Sequence, residues 1–152
     1  KHAARAAVGS ALPELDRDSL QRASAQIGEL RGATGTMRTH AVRRAIQMAM
    51  SPVMIAKDAA SLEQALAALR HIREEQLPHA GVHSPYDLGE ALGVMNLLET
   101  AALVARSALL RRESRGPHYR TDFPTEGGDA FERKLVWRWE EKRCEPSWAP
   151  PN

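Results

Sequence analysis

The residues with the most chemical potential in this chain lie together between positions 111 and 120: Arg111, Arg112, Glu113, Arg115, His118 and Arg120. Guanidinium groups bind carboxylates bidentately, so one use of such a cluster is an anion or substrate site. The other is a cationic helix end followed by a structural loop, since positive charge suits the negative end of a helix. On residue chemistry alone the structural reading is favoured. Arg115 suits a third use, burial against a partner acid, where its planar fork fits an interface.

Other groups carry less. Six histidines invite a metal reading, and His79 and His83 have i, i+4 spacing. Gly81 and the neighbouring prolines argue against the helix that would align them, so they read as solvated loop residues. His40 and His71 read as polar helix positions. Trp137, Trp139 and Trp148 could form a ligand platform, but packing of a short strand on helices explains them better. The single cysteine, Cys144, excludes an intrachain disulfide and argues against a thiolate metal site. There is no dinucleotide fingerprint, P-loop or nucleophile elbow, and Gly32 and Gly35 read as a linker. No catalytic, cofactor-binding or metal-ligating residue is assigned.

Composition sets the frame for these groups. Of 152 residues, 43% are hydrophobic but only 5% aromatic, so the core must come from Leu, Ala, Val, Ile and Met, a set that favours helices. A net charge of +2 from 21 basic and 19 acidic residues is too even for nucleic-acid binding. No apolar run reads as long enough to span a bilayer, and no signal-peptide core opens the chain. The chain does not begin with Met, which marks it as a fragment, a processed product or an engineered piece.

The elements that position these residues are helices. Residues 1–8 read as the end of an Ala-rich helix stopped by Gly9, with a break at Pro13. Asp16 or Asp18 caps a helix to about Arg31, with Leu20, Ala23, Ile27 and Leu30 on one face. The next helix begins near Thr36 or Thr39 and carries Val42, Ile46, Met50, Val53 and Met54, with a kink at Pro52. Ser61-Leu62-Glu63-Gln64 reads as a capping box opening a helix with Leu62, Leu66, Leu69 and Ile72, which ends before Pro78. Ser84-Pro85-Tyr86-Asp87 is the clearest helix start, combining a cap, a proline at the first position and an early acid. Its apolar row is Leu88, Leu92, Met95, Leu98, Ala102, Ala105 and Leu109. Gly116 and Pro117 stop it. Leu135 to Trp139 alternates as a short strand, and the tail from Pro146 to Asn152 reads as frayed.

The run from Ala105 to Pro124, containing Glu113-Ser114-Arg115-Gly116, then His118, then Asp122-Phe123-Pro124, closely resembles the C-terminal motif of the succinate dehydrogenase, fumarate reductase and L-aspartate oxidase flavoproteins. Arg38 to Glu63 resembles the family's first bundle helix and the start of the next, and Ser61 to Arg73 its second. Lys1 to Ala7 resembles the helix that closes the FAD-binding domain. Two departures are Pro52 inside the first bundle helix and Pro117 where a small residue is usual.

The resemblance implies an all-α fold, an antiparallel three-helix bundle of spectrin-repeat type with a leading helix and a short extended tail. The implied layout is the end of an FAD-binding domain at 1–9, leading helix and linker at 10–35, bundle at 36–124 and extended tail at 125–152. It implies FAD and a dicarboxylate site in the intact enzyme, but upstream of this chain, which by itself holds no cofactor and is inactive. The implied partners are the FAD-binding domain of the same protein and an iron–sulfur subunit, with no nucleic acid and no direct membrane insertion. Cytoplasmic location follows, peripheral on the inner face of the membrane through partner subunits. Arg115, His118, Arg120 and Asp122 become the candidate domain-interface residues. A succinate dehydrogenase/fumarate reductase-like enzyme ranks first, L-aspartate oxidase second, and an independent helical interaction module is the rival from another class.

Overall fold

A computed structural model describes residues 16–140 and 143–150. The expected helix at 1–8 and the break at Pro13 lie outside the described residues. The chain divides into two compact units, Lys1–Gly32 and Ala33–Asn152.

In the first unit, helix α1 spans Arg17–Arg31, and the Asp16 side chain caps it by accepting from the Asp18 N–H at 3.1 Å. Its apolar row is present but none of its residues is buried, with Leu20 53% and Ile27 39% exposed.

The second unit is built on three helices: α2 (Thr39–Met50), α3 (Ala59–His71) and α4 (Pro85–Leu110). Each contacts the other two. Val42, Ile46 and Met50 of α2, Leu62, Ala65 and Leu69 of α3, and Val94, Leu98, Ala101, Ala105 and Ala108 of α4 form one core. The many alanines on α4 let its neighbours approach closely. Arg43 ties α2 to Glu90 of α4 at 3.1 Å, and Arg73 reaches Glu99 at 2.7 Å.

Several local readings change. Pro52 does not kink a continuing helix. Lacking an N–H, it ends α2 at Met50 and sits in a 3₁₀ turn, Ser51–Val53, where its missing donor costs nothing. Val53 is buried, but Met54 and Ile55 are 65% and 84% exposed. The capping box of α3 begins three residues earlier than expected. Asp58 is the cap, accepting from the Ser61 N–H at 2.7 Å, while the Ser61 hydroxyl accepts from the Asp58 N–H at 3.0 Å. Helix α3 then widens into a π turn, Ile72–Gln76. Ser84 caps α4 as expected, accepting from the Asp87 N–H at 3.1 Å.

The buried face of α4 is displaced from the leucine row. Leu98 and Ala105 are on it, but Leu88, Leu92, Met95, Ala102 and Leu109 flank it half-buried. Helix α4 is also long and apolar enough, by length and composition, to cross a membrane, contrary to the sequence reading. Here α2 and α3 pack along it.

Gly35 of the linker serves close approach rather than an unusual backbone angle. Segment 33–37 runs against 79–82, with Met37 N–H donating to His79 O at 3.0 Å and Gly81 N–H to Met37 O at 2.9 Å. A Cβ on Gly35 would collide with the His79 carbonyl, and one on Gly81 with the Gly35 carbonyl.

The unit is mostly helical, with two small sheets that the all-α expectation omitted. Strand β1 (Ala56–Lys57) pairs in parallel with β2 (Tyr119–Arg120). The tail is a hairpin rather than a frayed end: β3 (Lys134–Glu140) pairs antiparallel with β4 (Arg143–Ala149), Trp137 opposite Pro146. Both strands of a two-stranded sheet are edges, which is where a strand tolerates proline.

Candidate functional site: the lock at the end of α4

An α-helix ends with carbonyls that have no partner inside the helix. At the end of α4 the Arg120 side chain meets three of them. Arg120 Nη1 donates to the carbonyls of Ala108 at 2.6 Å, Leu109 at 3.2 Å and Arg111 at 3.4 Å. Its other face grips Asp122 bidentately, Nε to Oδ1 at 2.7 Å and Nη2 to Oδ2 at 2.6 Å. The Phe123 ring lies 5.1 Å from the guanidinium carbon. Arg120 is 1% exposed, and a buried arginine needs this many partners to offset its lost hydration.

Asp122 carries the lock onward to a second helix. Its Oδ2 accepts from the Ala59 N–H at 3.0 Å, at the first position of α3. The hydrogen bonds from Arg120 are the main reason that its carboxyl is pulled down to about 2. One acid therefore joins the start of α3 to the arginine that closes α4.

The backbone makes this arrangement possible. Gly116 has a φ of +55°, a left-handed value that favours glycine. Pro117, fixed at negative φ, follows it. Arg115 and His118 exchange backbone hydrogen bonds at 2.8 and 3.1 Å across this two-residue turn. The chain returns beside β1, where the Thr121 N–H donates to Lys57 O at 2.9 Å. The Ser114 hydroxyl donates to Phe123 O at 2.8 Å and accepts from the Arg120 N–H at 2.9 Å, holding the loop closed.

His118 adds a further donor to the helix end, its Nε2 lying 3.1 Å from Arg111 O. Burial, then the nearby cations Lys57, Arg111 and Arg120, hold its pKa below the ordinary imidazole value, outweighing that hydrogen bond. The ring is thus held towards the neutral form. Lys57 is itself buried, which lowers its pKa, and Arg120 lowers it further.

A second knot lies around Glu113, whose side chain is fully buried. It binds Arg111, accepts from Arg115 Nε at 3.1 Å and from the Gly127 N–H at 3.0 Å. Burial works to raise its pKa, but these donors prevail and lower it. Arg111 also donates to the carbonyls of Phe131 at 2.9 Å and Arg133 at 2.8 Å, and lies 5.2 Å from the Trp148 ring centre. It thereby ties the hairpin to α4, as does Trp137 Nε1 donating to the Ser107 hydroxyl at 2.7 Å.

The four residues singled out in the sequence therefore fall into two groups. Arg120, Asp122 and His118 converge on the end of α4. Arg115 belongs to the Glu113 knot, is one-third exposed, and faces Glu126 at 3.6 Å and Glu132 at 3.8 Å. Glu113 is a partner acid of Arg115, whereas Asp122 is taken by Arg120. The contacts of Arg111, Ser114 and Lys57 escaped the sequence reading, because their partners are backbone groups and strand neighbours that composition does not reveal. No group of three or more His, Cys, Asp or Glu side chains that could hold a metal occurs among the described residues.

Comparison with known proteins agrees with this architecture. Residues 42–150 match the family model described as fumarate reductase flavoprotein C-term. The chain is 41% identical over 95 residues to one of the subunits of the fumarate reductase (CoM/CoB) of Methanothermobacter marburgensis, covering 59% of this chain and 17% of that protein. It is 24% identical over 141 residues to the mitochondrial succinate dehydrogenase [ubiquinone] flavoprotein subunit of Oryza sativa subsp. japonica, covering 90% of this chain and 22% of that one. Among solved structures, Mycobacterium smegmatis Sdh1 in complex with UQ1 superposes with a TM-score of 0.80 at 19% identity, covering 99% of this chain and 26% of that chain. A quinol–fumarate reductase with menaquinol molecules gives 0.74 at 17% identity, covering 97% and 27%. The chain spans about a quarter or less of the length of these relatives. With more than two-thirds of its length matched by the family model, this chain belongs to the C-terminal domain family of the succinate dehydrogenase/fumarate reductase flavoproteins.

Proposed function

We propose that this chain serves as the C-terminal helical domain of an FAD-dependent, succinate dehydrogenase/fumarate reductase-like oxidoreductase, bracing the flavin domain and offering a surface to a partner subunit. The observation that carries the proposal is the family match over residues 42–150. The site chemistry supports a structural role, since the donors of Arg111 and Arg120 and the carboxylates of Glu113 and Asp122 are engaged within the chain. FAD and the dicarboxylate site belong to the remainder of the polypeptide.

In this reading residues 1–9 end the FAD-binding domain, 10–35 lead in, 36–124 form an antiparallel three-helix bundle and 125–152 form the tail. Mutual contact of α2, α3 and α4 supports the bundle. Arg115 presents the exposed side of the loop to the flavin domain, while His118, Arg120 and Asp122 hold that loop rigid as the inner part of the same interface. An iron–sulfur subunit is the expected partner. Location on the inner face of the membrane through partner subunits, without insertion of α4, follows from the same reading.

The test is turnover by the intact polypeptide. Reduction of an artificial dye by succinate, or oxidation of a reduced dye by fumarate, is expected. Oxidation of L-aspartate with neither of those activities would replace the reading by an aspartate oxidase.

A further inference from the structure

Apart from the lock, a groove of about 700 Å³ lies between α3, α4 and β4. Small-molecule sites usually measure about 300–1,000 Å³. The floor of the groove is apolar. Leu69 and Leu98 belong to the core, and Leu66 and Ala102 pack half-buried against it. The walls are charged. Arg70, Arg73 and Glu74 follow from α3, Glu99 and Arg106 stand on α4, and all five are exposed. Arg73 and Glu74 lie in the π turn Ile72–Gln76. Such turns are rare and recur at functional sites.

The charges on the walls do not cancel. Arg73 and Glu99 neutralise each other at 2.7 Å, but the side chains of Arg70 and Arg106 have no hydrogen-bond or ion-pair partner among the described residues. Three arginines against two glutamates leave the lining with a formal charge of +1. A neutral apolar ligand would leave both guanidinium groups unanswered. A dicarboxylate as short as succinate would set a second charge against the leucine floor, where an unpaired charge is costly. An apolar floor beneath unpaired arginines instead complements a molecule with one anionic head and an alkyl chain, since guanidinium binds carboxylate strongly.

We propose that this groove is a binding site for a long-chain monocarboxylate, its alkyl chain lying along Leu66, Leu69 and Leu98 and its carboxylate held by Arg70 and Arg106. The site does not depend on what the remainder of the polypeptide catalyses. Cys144 of β4 lines the same groove as a free, half-buried thiol, so a bound chain covers it. Because α3, α4 and β4 all contribute walls, an occupant also joins the hairpin to the bundle and raises the stability of the folded state by mass action.

The experiment uses the intact polypeptide with dodecanoate as the probe. Titration calorimetry gives affinity, and alkylation of Cys144 by iodoacetamide, read by peptide mass spectrometry, gives position. Dodecanoate is expected to bind and to slow alkylation of Cys144 in proportion to occupancy. Dodecanol lacks the charge and butyrate lacks the chain, and each is expected to bind at least about tenfold more weakly. The double variant Arg70→Gln/Arg106→Gln is expected to lose about tenfold for dodecanoate. Arg112→Gln, at an exposed position outside the groove, is expected to bind as wild type does. Ala102→Trp fills the floor and is expected to abolish binding and protection together; the arginine variants, exposed on their helices, keep the test decisive if that variant fails to fold. No binding to the intact polypeptide overturns the proposal. So do equal affinities for dodecanoate and dodecanol, an unchanged affinity in the arginine double variant, or binding that leaves Cys144 alkylation unaltered. Association with phosphatidylcholine–phosphatidylglycerol vesicles without uptake of free dodecanoate also overturns it, and marks a lipid surface instead.

Discussion

Replacing Arg120 tests the lock most sharply. Arg120→Ala removes three hydrogen bonds to the carbonyls of Ala108, Leu109 and Arg111 and the bidentate pair with Asp122. A hydrogen bond involving a charged group contributes about 1.5–3 kcal/mol, and losing one member of a buried ion pair costs about 3–5 kcal/mol. Arg120 is almost wholly enclosed, but Asp122 keeps 29% of its side chain in solvent and can rehydrate, so the lower part of that range applies, about 3–4 kcal/mol. A domain of this size is stable by about 5–15 kcal/mol, so a large fraction is lost. Arg120→Lys keeps the charge but not the fork, and is expected to lose about 2 kcal/mol. The assay is urea unfolding followed by far-ultraviolet circular dichroism, with Asp122→Ala and the double variant completing a cycle. A coupling of about 1–2 kcal/mol is expected from the pair, the remainder being the carbonyl contacts. Loss below about 1 kcal/mol in Arg120→Ala would show that water replaces the guanidinium at the helix end, and the account of the lock would be refuted.

Further outcomes follow from the same structure. The carboxyl of Asp122 is held at about 2 against an ordinary 3.8, so its contribution is fully present above pH 4 and is lost as the pH falls from about 4 through 2; solvent screening brings it to about 1 kcal/mol, and Asp122→Asn should flatten that part of the pH–stability curve. Gly35→Ala and Gly81→Ala, which force a Cβ into a facing carbonyl, should each destabilise by more than about 2 kcal/mol, whereas Gly89→Ala in α4 meets nothing within 4 Å and should stabilise by about 0.5–1 kcal/mol. Leu98→Ala, at a position 2% exposed, should cost about 2–5 kcal/mol and half-buried Leu109→Ala less than half as much; equal losses would mean that the packed face of α4 lies elsewhere.

How much of this was legible in the sequence depended on how local the cause was. The Ser84-Pro85-Tyr86-Asp87 start lies within one helical turn, and the structure follows it. Asp58 was missed as the cap of α3 because Ser61 offers the same chemistry three residues on, and only the chain's path separates cap from partner. The face of α4 was read from its leucines. The packed row instead runs through Ala91, Ala101, Ala105 and Ala108, where small side chains admit neighbouring helices while leucines fill the flanks. Pro146 suggested a frayed tail, but opposite Trp137 in an edge strand it is tolerated.

The site was half legible. The run from Glu113 to Pro124 carried the family resemblance, and the family model confirms it. Which arginine does what was not readable there. Arg115 has the more conspicuous setting before Gly116, but Arg120 is the buried one. Its partners are carbonyls 9 to 12 positions back in the chain, and backbone acceptors leave no mark in side-chain pattern.

The central claim is that this chain is the C-terminal part of an FAD-dependent flavoprotein whose cofactor lies in the rest of the polypeptide. The most direct measurement is the visible absorption spectrum of two purified proteins, the intact polypeptide and the 152-residue chain, each refolded with excess FAD and desalted. The account predicts flavin bands with about one flavin per intact polypeptide, and none with the 152-residue chain. Flavin retained by the short chain, or an intact polypeptide that stays colourless, would contradict it.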